Sequence, residues 1–272
     1  MARSVIFFSF LLVISSLLAI LYTIGLFRLL LLILTATTLL VVYLLFHPRN
    51  QWLVANRSRV DGASVNGRRC VALTFDDGPD PVFTPKLLDL LREKDVKATF
   101  FVIGKRADQY PEIVRRAWAE GHLVGNHTWS HDSLFCFLMP GRLRAEIECG
   151  TESVRRSCGS RPRLFRSPVG LRHPLLAPYL ENAGLEYISW TIRTLDTFTA
   201  NSSVLAQRIL NKAASGDIIL LHDHLPRGTE AMLQALPQVI DELRQRGFEF
   251  VLAGPREDAG GTLEPATCEP VL

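Results

Sequence analysis

The chain has 272 residues, 48% of them hydrophobic and 21% charged, with 30 basic against 27 acidic side chains and a formal net charge of +3. A balance this close to neutral gives no electrostatic footprint for nucleic acid, so no nucleic-acid partner is expected. Five cysteines, Cys70, Cys136, Cys149, Cys158 and Cys268, form no CxxC pair and cannot all pair with one another, which excludes a disulfide scaffold and a cysteine-based zinc finger.

The average composition hides an uneven distribution. Residues 5–46 contain no acid and one base, Arg28. As one helix they would run roughly 63 Å, about twice the ~30 Å hydrocarbon core of a bilayer. Two transmembrane helices fit that thickness better, over about 5–21 and 29–46, joined by a tight turn at 22–28 that holds Gly25 and Arg28. The rival arrangement is a cleaved signal sequence followed by one anchor, because Met1-Ala2-Arg3 resembles a short basic leader, although no small-x-small cleavage site precedes Arg28. The bases flanking the spans are Arg3, Arg28, Arg49, Arg57 and Arg59. By the positive-inside rule a hairpin puts both ends, and the polar remainder of this integral membrane protein, on the cytoplasmic side. Unpaired cysteines lean the same way. If the first segment does not span, the remainder is extracytoplasmic.

Residues 47–68 are polar and aperiodic, and are expected to form a linker against the membrane surface; 253–272, rich in Gly, Pro and Glu, read as a disordered tail. Between them, at 69–252, β-branched or aromatic runs alternate with amphipathic stretches. Strands are predicted at 70–75, 98–103, 123–125, 164–165, 186–190, 218–221 and 248–252, and helices at 84–94, 110–120, 142–157, 175–183, 202–214 and 229–246. Pro111 suits a first helical turn, while Gly121, Gly184 and Gly247 each follow a helix and precede a strand. Strand, helix, strand repetition implies a parallel sheet with helices outside, and seven strands in this length suit a barrel, complete or incomplete, better than an open sheet.

The chemistry-bearing residues fall just after predicted strands. Val71-Ala72-Leu73-Thr74-Phe75 runs into Asp76-Asp77-Gly78-Pro79, which places two adjacent carboxylates where α/β barrels carry their active sites. Adjacent residues point apart, so one can bind a metal while its neighbour faces a bound water. His127 and His131 are four residues apart and share one face if the segment makes a helical turn; with a carboxylate they make a two-histidine, one-carboxylate set with open coordination positions, as expected of a catalytic site. Zinc is the first choice of cation, with other divalent transition metals as alternatives. His222 closes the strand at 218–221 and is placed to act as a general acid near neutral pH. Arg166 could pair with a rim carboxylate and Asp196 with a histidine; either could equally form an ordinary surface ion pair. Together these residues suit metal-assisted hydrolysis.

With these motifs in order, the chain resembles the polysaccharide deacetylase family, carbohydrate esterases that include chitin, chitooligosaccharide and peptidoglycan N-acetylglucosamine deacetylases. Five motifs carry the likeness: Thr74-Phe75-Asp76-Asp77-Gly78-Pro79, His127-Thr128-Trp129-Ser130-His131, Arg166-Ser167-Pro168-Val169-Gly170, Trp190 through Asp196, and Leu220-Leu221-His222-Asp223. The resemblance implies a distorted, incomplete (β/α) barrel of the seven-stranded type. It implies Asp76 as general base, oriented by Arg166, and Asp77, His127 and His131 as ligands of one divalent ion, zinc first, with cobalt, nickel or manganese as alternatives. His222 becomes the general acid, tuned by Asp196; the Val169 N–H is the oxyanion donor, and Leu220 lines the pocket for the acetyl methyl. The fourth motif departs from the pattern: Arg193 stands where aspartate is common, and Thr197 where tryptophan is. These changes put chitin or peptidoglycan specificity in question.

The expected activity is therefore metal-dependent removal of an N-acetyl group from an amino sugar of a glycan or lipid-linked saccharide, with membrane lipid as the anchor's partner. A deformylase of a lipid-linked amino sugar would use the same residues, and a catalytically silent, membrane-tethered sugar-binding module is the alternative from another class.

Overall fold

The structure is a computed structural model and describes residues 2–60, 64–65, 68–224 and 229–255. It divides into two compact units, Met1–Leu44 and Leu45–Leu272. The expected tail at 253–272 lies, beyond residue 255, outside the described residues.

The first unit corrects the expected hairpin. One continuous helix, α1, spans Ala2–Phe46. Nothing at 22–28 compels a turn: the segment has no proline, and a lone glycine in a helix interior costs only about 1 kcal/mol. A turn would also expose backbone N–H and C=O groups that an apolar surrounding cannot satisfy. Within the helix the hydroxyls of Ser15, Thr23, Thr35 and Thr38 donate to carbonyls three or four residues back. By length and composition Leu12–Phe46 can cross a membrane; an N-terminal signal sequence passes the same test.

The second unit is a curled sheet. Eight parallel strands run in the order β1 (Asn56–Arg57), β7 (Glu186–Ile188), β6 (Leu164–Phe165), β5 (Leu123–Asn126), β4 (Thr99–Val102), β3 (Arg68–Asp76), β9 (Asp217–His222) and β8 (Ile192–Arg193). The path ends at β1 and β8 without closing, which makes the distorted, incomplete barrel. β10 (Phe248–Phe250) adds in parallel to the start of β3, and β2 (Ser64–Val65) pairs with it antiparallel. All seven predicted strands are present. β1, β2 and β8 are two residues each, too short to carry a periodic signal. The segment expected as a linker is built into the sheet: β1 pairs with Tyr187 and Ile188, and Val54 and Val60 are buried.

Helices α2 (Phe83–Glu93), α4 (Pro111–Ala119), α5 (Pro140–Cys158), α6 (Leu176–Ala183), α7 (Ser202–Leu210) and α8 (Thr229–Gln245) match the predicted ones, and a short α3 (Gly104–Gln109) adds to them. Strand alternation then decides what faces inward. Val71, Leu73 and Phe75 of β3 join the core beneath the helices, whereas Cys70 and Ala72 join Phe101, Ile188, Trp190, Ile218 and Leu220 in a second, interior cluster. Period two carries Thr74 and Asp76 onto the interior face. β9 behaves alike, with Ile219 and Leu221 outward and Ile218 and Leu220 inward. Because β3 and β9 are in register, Thr74 sits opposite Leu220 and Asp76 opposite His222.

One close approach fixes the histidine segment. A Cβ on Gly150 of α5 would fall 2.4 Å from Asn126 Oδ1 and 2.8 Å from the Thr128 carbonyl carbon. Glycine to alanine within a helix ordinarily stabilises by about 1 kcal/mol. Here overpacking should reverse the sign: Gly150→Ala is expected to destabilise by about 1–3 kcal/mol, read by denaturant titration of the purified protein. A variant as stable as the parent would contradict this packing account.

Candidate active site and metal centre

The nine expected site residues converge. Asp76, Asp77, His127, His131, Val169, Leu220 and His222 line one cavity of about 220 Å³ at the carboxyl ends of the strands, together with Trp190, Arg193, Thr197 and Phe198. Arg166 and Asp196 stand behind its wall, fully buried.

Asp76 ends β3 on the interior face. Arg166 Nη1 donates to its Oδ1 at 2.7 Å and to Thr74 Oγ1 at 2.9 Å. The guanidinium is spent further on the carbonyls of Ile188 and Ser189, both at 3.1 Å, and stacks 4.1 Å above the Phe101 ring. A cation this enclosed can hold Asp76 in one orientation only, with Oδ2 left toward the cavity. Asp77 turns away because its φ is 75°, in the left-handed region. Its Oδ1 lies 3.3 Å from His127 Nε2 and 3.1 Å from His131 Nε2.

The histidine pair does not sit on a helical turn, as the i, i+4 spacing suggested; it sits on a loop after β5, where Thr128 and His131 both have positive φ. α5 and α3 hold that loop. Glu146 of α5 accepts from the Trp129 and Ser130 N–H groups at 3.0 and 2.8 Å, while Gly104 and Lys105 at the start of α3 donate to the carbonyls of Thr128 and Trp129. The His127 ring bonds through Nδ1 to the Arg166 carbonyl at 2.7 Å, which commits Nε2 to the cavity. Donor atoms of Asp77, His127 and His131 all lie within 4.8 Å of one another. Two imidazoles with a carboxylate, one ring already oriented by an outer hydrogen bond, fit a divalent cation.

Across the cavity, His222 Nδ1 meets Asp196 Oδ1 at 2.9 Å, and its backbone N–H donates to Asp196 Oδ2 at 2.8 Å. Thr194 Oγ1 donates to the same carboxylate. Burial alone would push His222 down, but the hydrogen bond and charge of Asp196, with the charges of Asp76 and Asp77, outweigh it and raise the pKa to about 9. Burial likewise opposes ionisation of Asp77, yet its contacts with His127 and His131 hold it far below the ordinary carboxylate range, and His131 is raised in return.

Several contributors had no legible role in the sequence. Thr74 shares Arg166 with Asp76. Asp80 accepts from His224 Nδ1 at 2.7 Å, and Arg106 Nη1 lies 3.1 Å from His224 Nε2 while its Nε donates to the Pro79 carbonyl. This network pins the turn after Asp77, and the pairing of β3 with both β4 and β9 brings its members together. His173 bonds the Leu138 carbonyl instead of the site.

Comparison with known proteins bears on this arrangement. A family model for polysaccharide deacetylases matches residues 63–188. A chitooligosaccharide deacetylase of Bradyrhizobium sp. is 36% identical over 197 residues, covering 68% of this chain and 90% of its own. The chain belongs to the polysaccharide deacetylase family. A peptidoglycan-N-acetylglucosamine deacetylase of Bacillus cereus is 35% identical over 181 residues, 66% of each chain. The crystal structure of the Bc1960 peptidoglycan N-acetylglucosamine deacetylase aligns with a TM-score of 0.65 at 33% identity, covering 72% of this chain and 89% of that one. As a polysaccharide deacetylase the chain is a hydrolase of amide bonds in sugars. The family is metal-dependent, and Asp77, His127 and His131 form the corresponding cluster among the described residues.

The Asp196–His222 pair carries a direct test. In metal-free protein, His222 should titrate near 9, and Asp196→Asn should bring it down toward its ordinary value near 6.5. A raised histidine pKa adds stability that is complete below about 6.5 and disappears as pH climbs through about 9. The variant should lose that increment. Imidazole NMR titration reads the pKa, and an unmoved His222 would refute the assignment to Asp196.

Proposed function

We propose that the protein is a metal-dependent de-N-acetylase acting on an amino sugar of a glycan or lipid-linked saccharide at a membrane. The observation that carries this is one cavity in which the Asp77–His127–His131 cluster faces Asp76 on one side and His222 on the other. Asp77, His127 and His131 would hold the ion, zinc first by ligand type. When bound, such an ion supplies Lewis acidity, polarising an acyl carbonyl and lowering the pKa of water.

The chain's own residues supply the rest. Asp76, its Oδ1 held by Arg166, takes a proton from the attacking water through Oδ2. The Val169 N–H stabilises the oxyanion from the opposite wall. His222, carrying its proton on Nε2 because Asp196 occupies Nδ1, gives it to the nitrogen as the C–N bond breaks. Acetate and a free amine result. Leu220, almost fully buried beside Trp190, lines the acyl pocket.

The names of the relatives bring N-acetylglucosamine oligomers and peptidoglycan forward as substrates. Arg193 and Thr197 both line the cavity, so their departures from the family pattern bear on substrate directly. Phe198, 82% exposed, offers an aromatic face one position beyond the missing tryptophan.

The cytoplasmic expectation rested on a hairpin. With one helix, and with Cys149 in a disulfide, an extracytoplasmic domain tethered by a single span is better supported, because disulfides persist in oxidising compartments. Cys70, Cys136 and Cys158 form no disulfide.

Full-length protein loaded with zinc is expected to release acetate from N-acetylglucosamine oligomers or a lipid-linked amino sugar. Asp76→Asn and His222→Ala should each lower kcat by about 10²–10⁴. Formate in place of acetate would identify a deformylase. Failure to release either from the panel, by protein with one zinc per chain, would overturn the proposal.

A further inference from the structure

Exposed apolar side chains on the second unit are sorted to one rim. Among the described residues after β1, every exposed large apolar side chain lies in a loop that follows a strand or in the first turn of the helix after it. Val82, Leu134, Phe137, Met139, Leu175 and Phe198 are the main ones, with Met139 at 75% and Phe137 at 71% exposure. This is the rim that holds the catalytic cavity. The opposite rim, where helices end, carries Arg92, Arg155, Arg156, Arg208 and Arg244 in last turns. A soluble surface scatters its exposed hydrophobes singly, whereas a concentration on one side marks an interaction surface.

The occupant can be read from chemistry and connectivity. Most of these side chains are aliphatic, without the flat π-face that packs on a sugar ring, so a glycan alone does not account for them. The rim is also continuous with the chain leaving α1. Arg172, fully buried in the loop between Val169 and Leu175, donates to the carbonyls of His47 and Pro48 at 2.7 and 2.6 Å, and its N–H donates to the Leu45 carbonyl. The bonded carbonyls thus begin at Leu45, within the last turn of α1, and continue through the two residues that follow the helix, His47 and Pro48. Trp52, 85% exposed, comes soon after, and tryptophan is the residue type that settles at headgroup depth.

We propose that the cavity-bearing rim docks on the lipid bilayer, so that the active site opens onto the headgroup layer. The inference goes beyond the proposed reaction and stands whichever acyl group is removed. It selects amino sugars presented at headgroup depth over glycans far from the membrane.

The test uses full-length protein in nanodiscs of phosphatidylethanolamine and phosphatidylglycerol, in a Cys158→Ser background that removes the half-exposed free thiol. Phe137→Cys and Met139→Cys would carry an environment-sensitive fluorophore, with Glu93→Cys at the opposite rim as reference and retained zinc as the check of folding. Doxyl lipids should quench positions 137 and 139 roughly twofold or more over position 93, as side chains entering an interface require. Equal quenching at all three sites overturns the proposal. So does cross-linking between two copies through position 137, or shielding only by added chitooligosaccharide, in place of quenching.

Discussion

The site depends on one buried ion pair. Arg166 and Asp76 are both removed from water, and two desolvated charges are tolerated only when attraction and hydrogen bonds offset a penalty of several kcal/mol per ion. Arg166 meets that condition by spending its donors on Asp76, Thr74 and the carbonyls of Ile188 and Ser189. Asp76 and Thr74 belong to β3, whereas Ile188 ends β7 and Ser189 is the next residue, four strands away along the curled sheet. The guanidinium therefore bridges the barrel interior while it orients the base. Removing it would leave an uncompensated carboxylate at the centre of the fold, and the strands it ties would lose their common reference.

Around that pair the backbone carries local strain. Among the described residues, five of the six non-glycine residues with positive φ, Asp77, Thr128, His131, Val169 and Leu195, lie in loops after strands at the cavity; Asp95 is the sixth. Each left-handed residue costs on the order of 1–2 kcal/mol. The return is directional. A strand alone would send Asp77 to the face opposite Asp76, beneath the helices. The excursion to φ 75° turns its carboxylate to the histidines instead. Rigid supports, such as Glu146 on the histidine loop and Gly150 beneath it, hold these conformations in place.

Much of this was legible in the sequence, and the exceptions have physical reasons. β3, β4 and β9 are long apolar runs flanked by turn chemistry, so their ends located the rim and with it Asp76 and His222. Two-residue β1 and β8 have no period to detect; they exist because neighbouring strands offer unpaired edges. The histidine spacing led to the right residues through the wrong local structure, since the pair is brought together by a loop with two left-handed residues and not by a helical turn. For Arg166 and Asp196 the sequence left surface ion pairs open. Both lie in interior positions that only the curling of the sheet creates. The N-terminal apolar segment is one helix and not two because length against bilayer thickness is a weaker constraint than the cost of breaking backbone hydrogen bonds in an apolar stretch.

Both halves of the cavity carry a histidine held toward its protonated form, and in the cluster this limits when a cation can enter. In the metal-free chain His127 and His131 together hold Asp77 ionised against its burial, and His131, 3.1 Å from Asp77, is raised in return. A dication needs both imidazoles neutral, so its binding must release whatever proton the pair retains. Affinity should therefore fall as pH drops into the range where His131 holds its proton. His222 is raised as well, but by a partner of its own. Its proton is kept by Asp196, outside the cluster, with smaller help from Asp76 and Asp77. Filling the cluster offsets the Asp77 charge and brings His222 closer to neutrality, where it can also give its proton up. Separate carboxylate partners for the two histidine functions are what allow one cavity to empty protons from its ligands while retaining one on its acid.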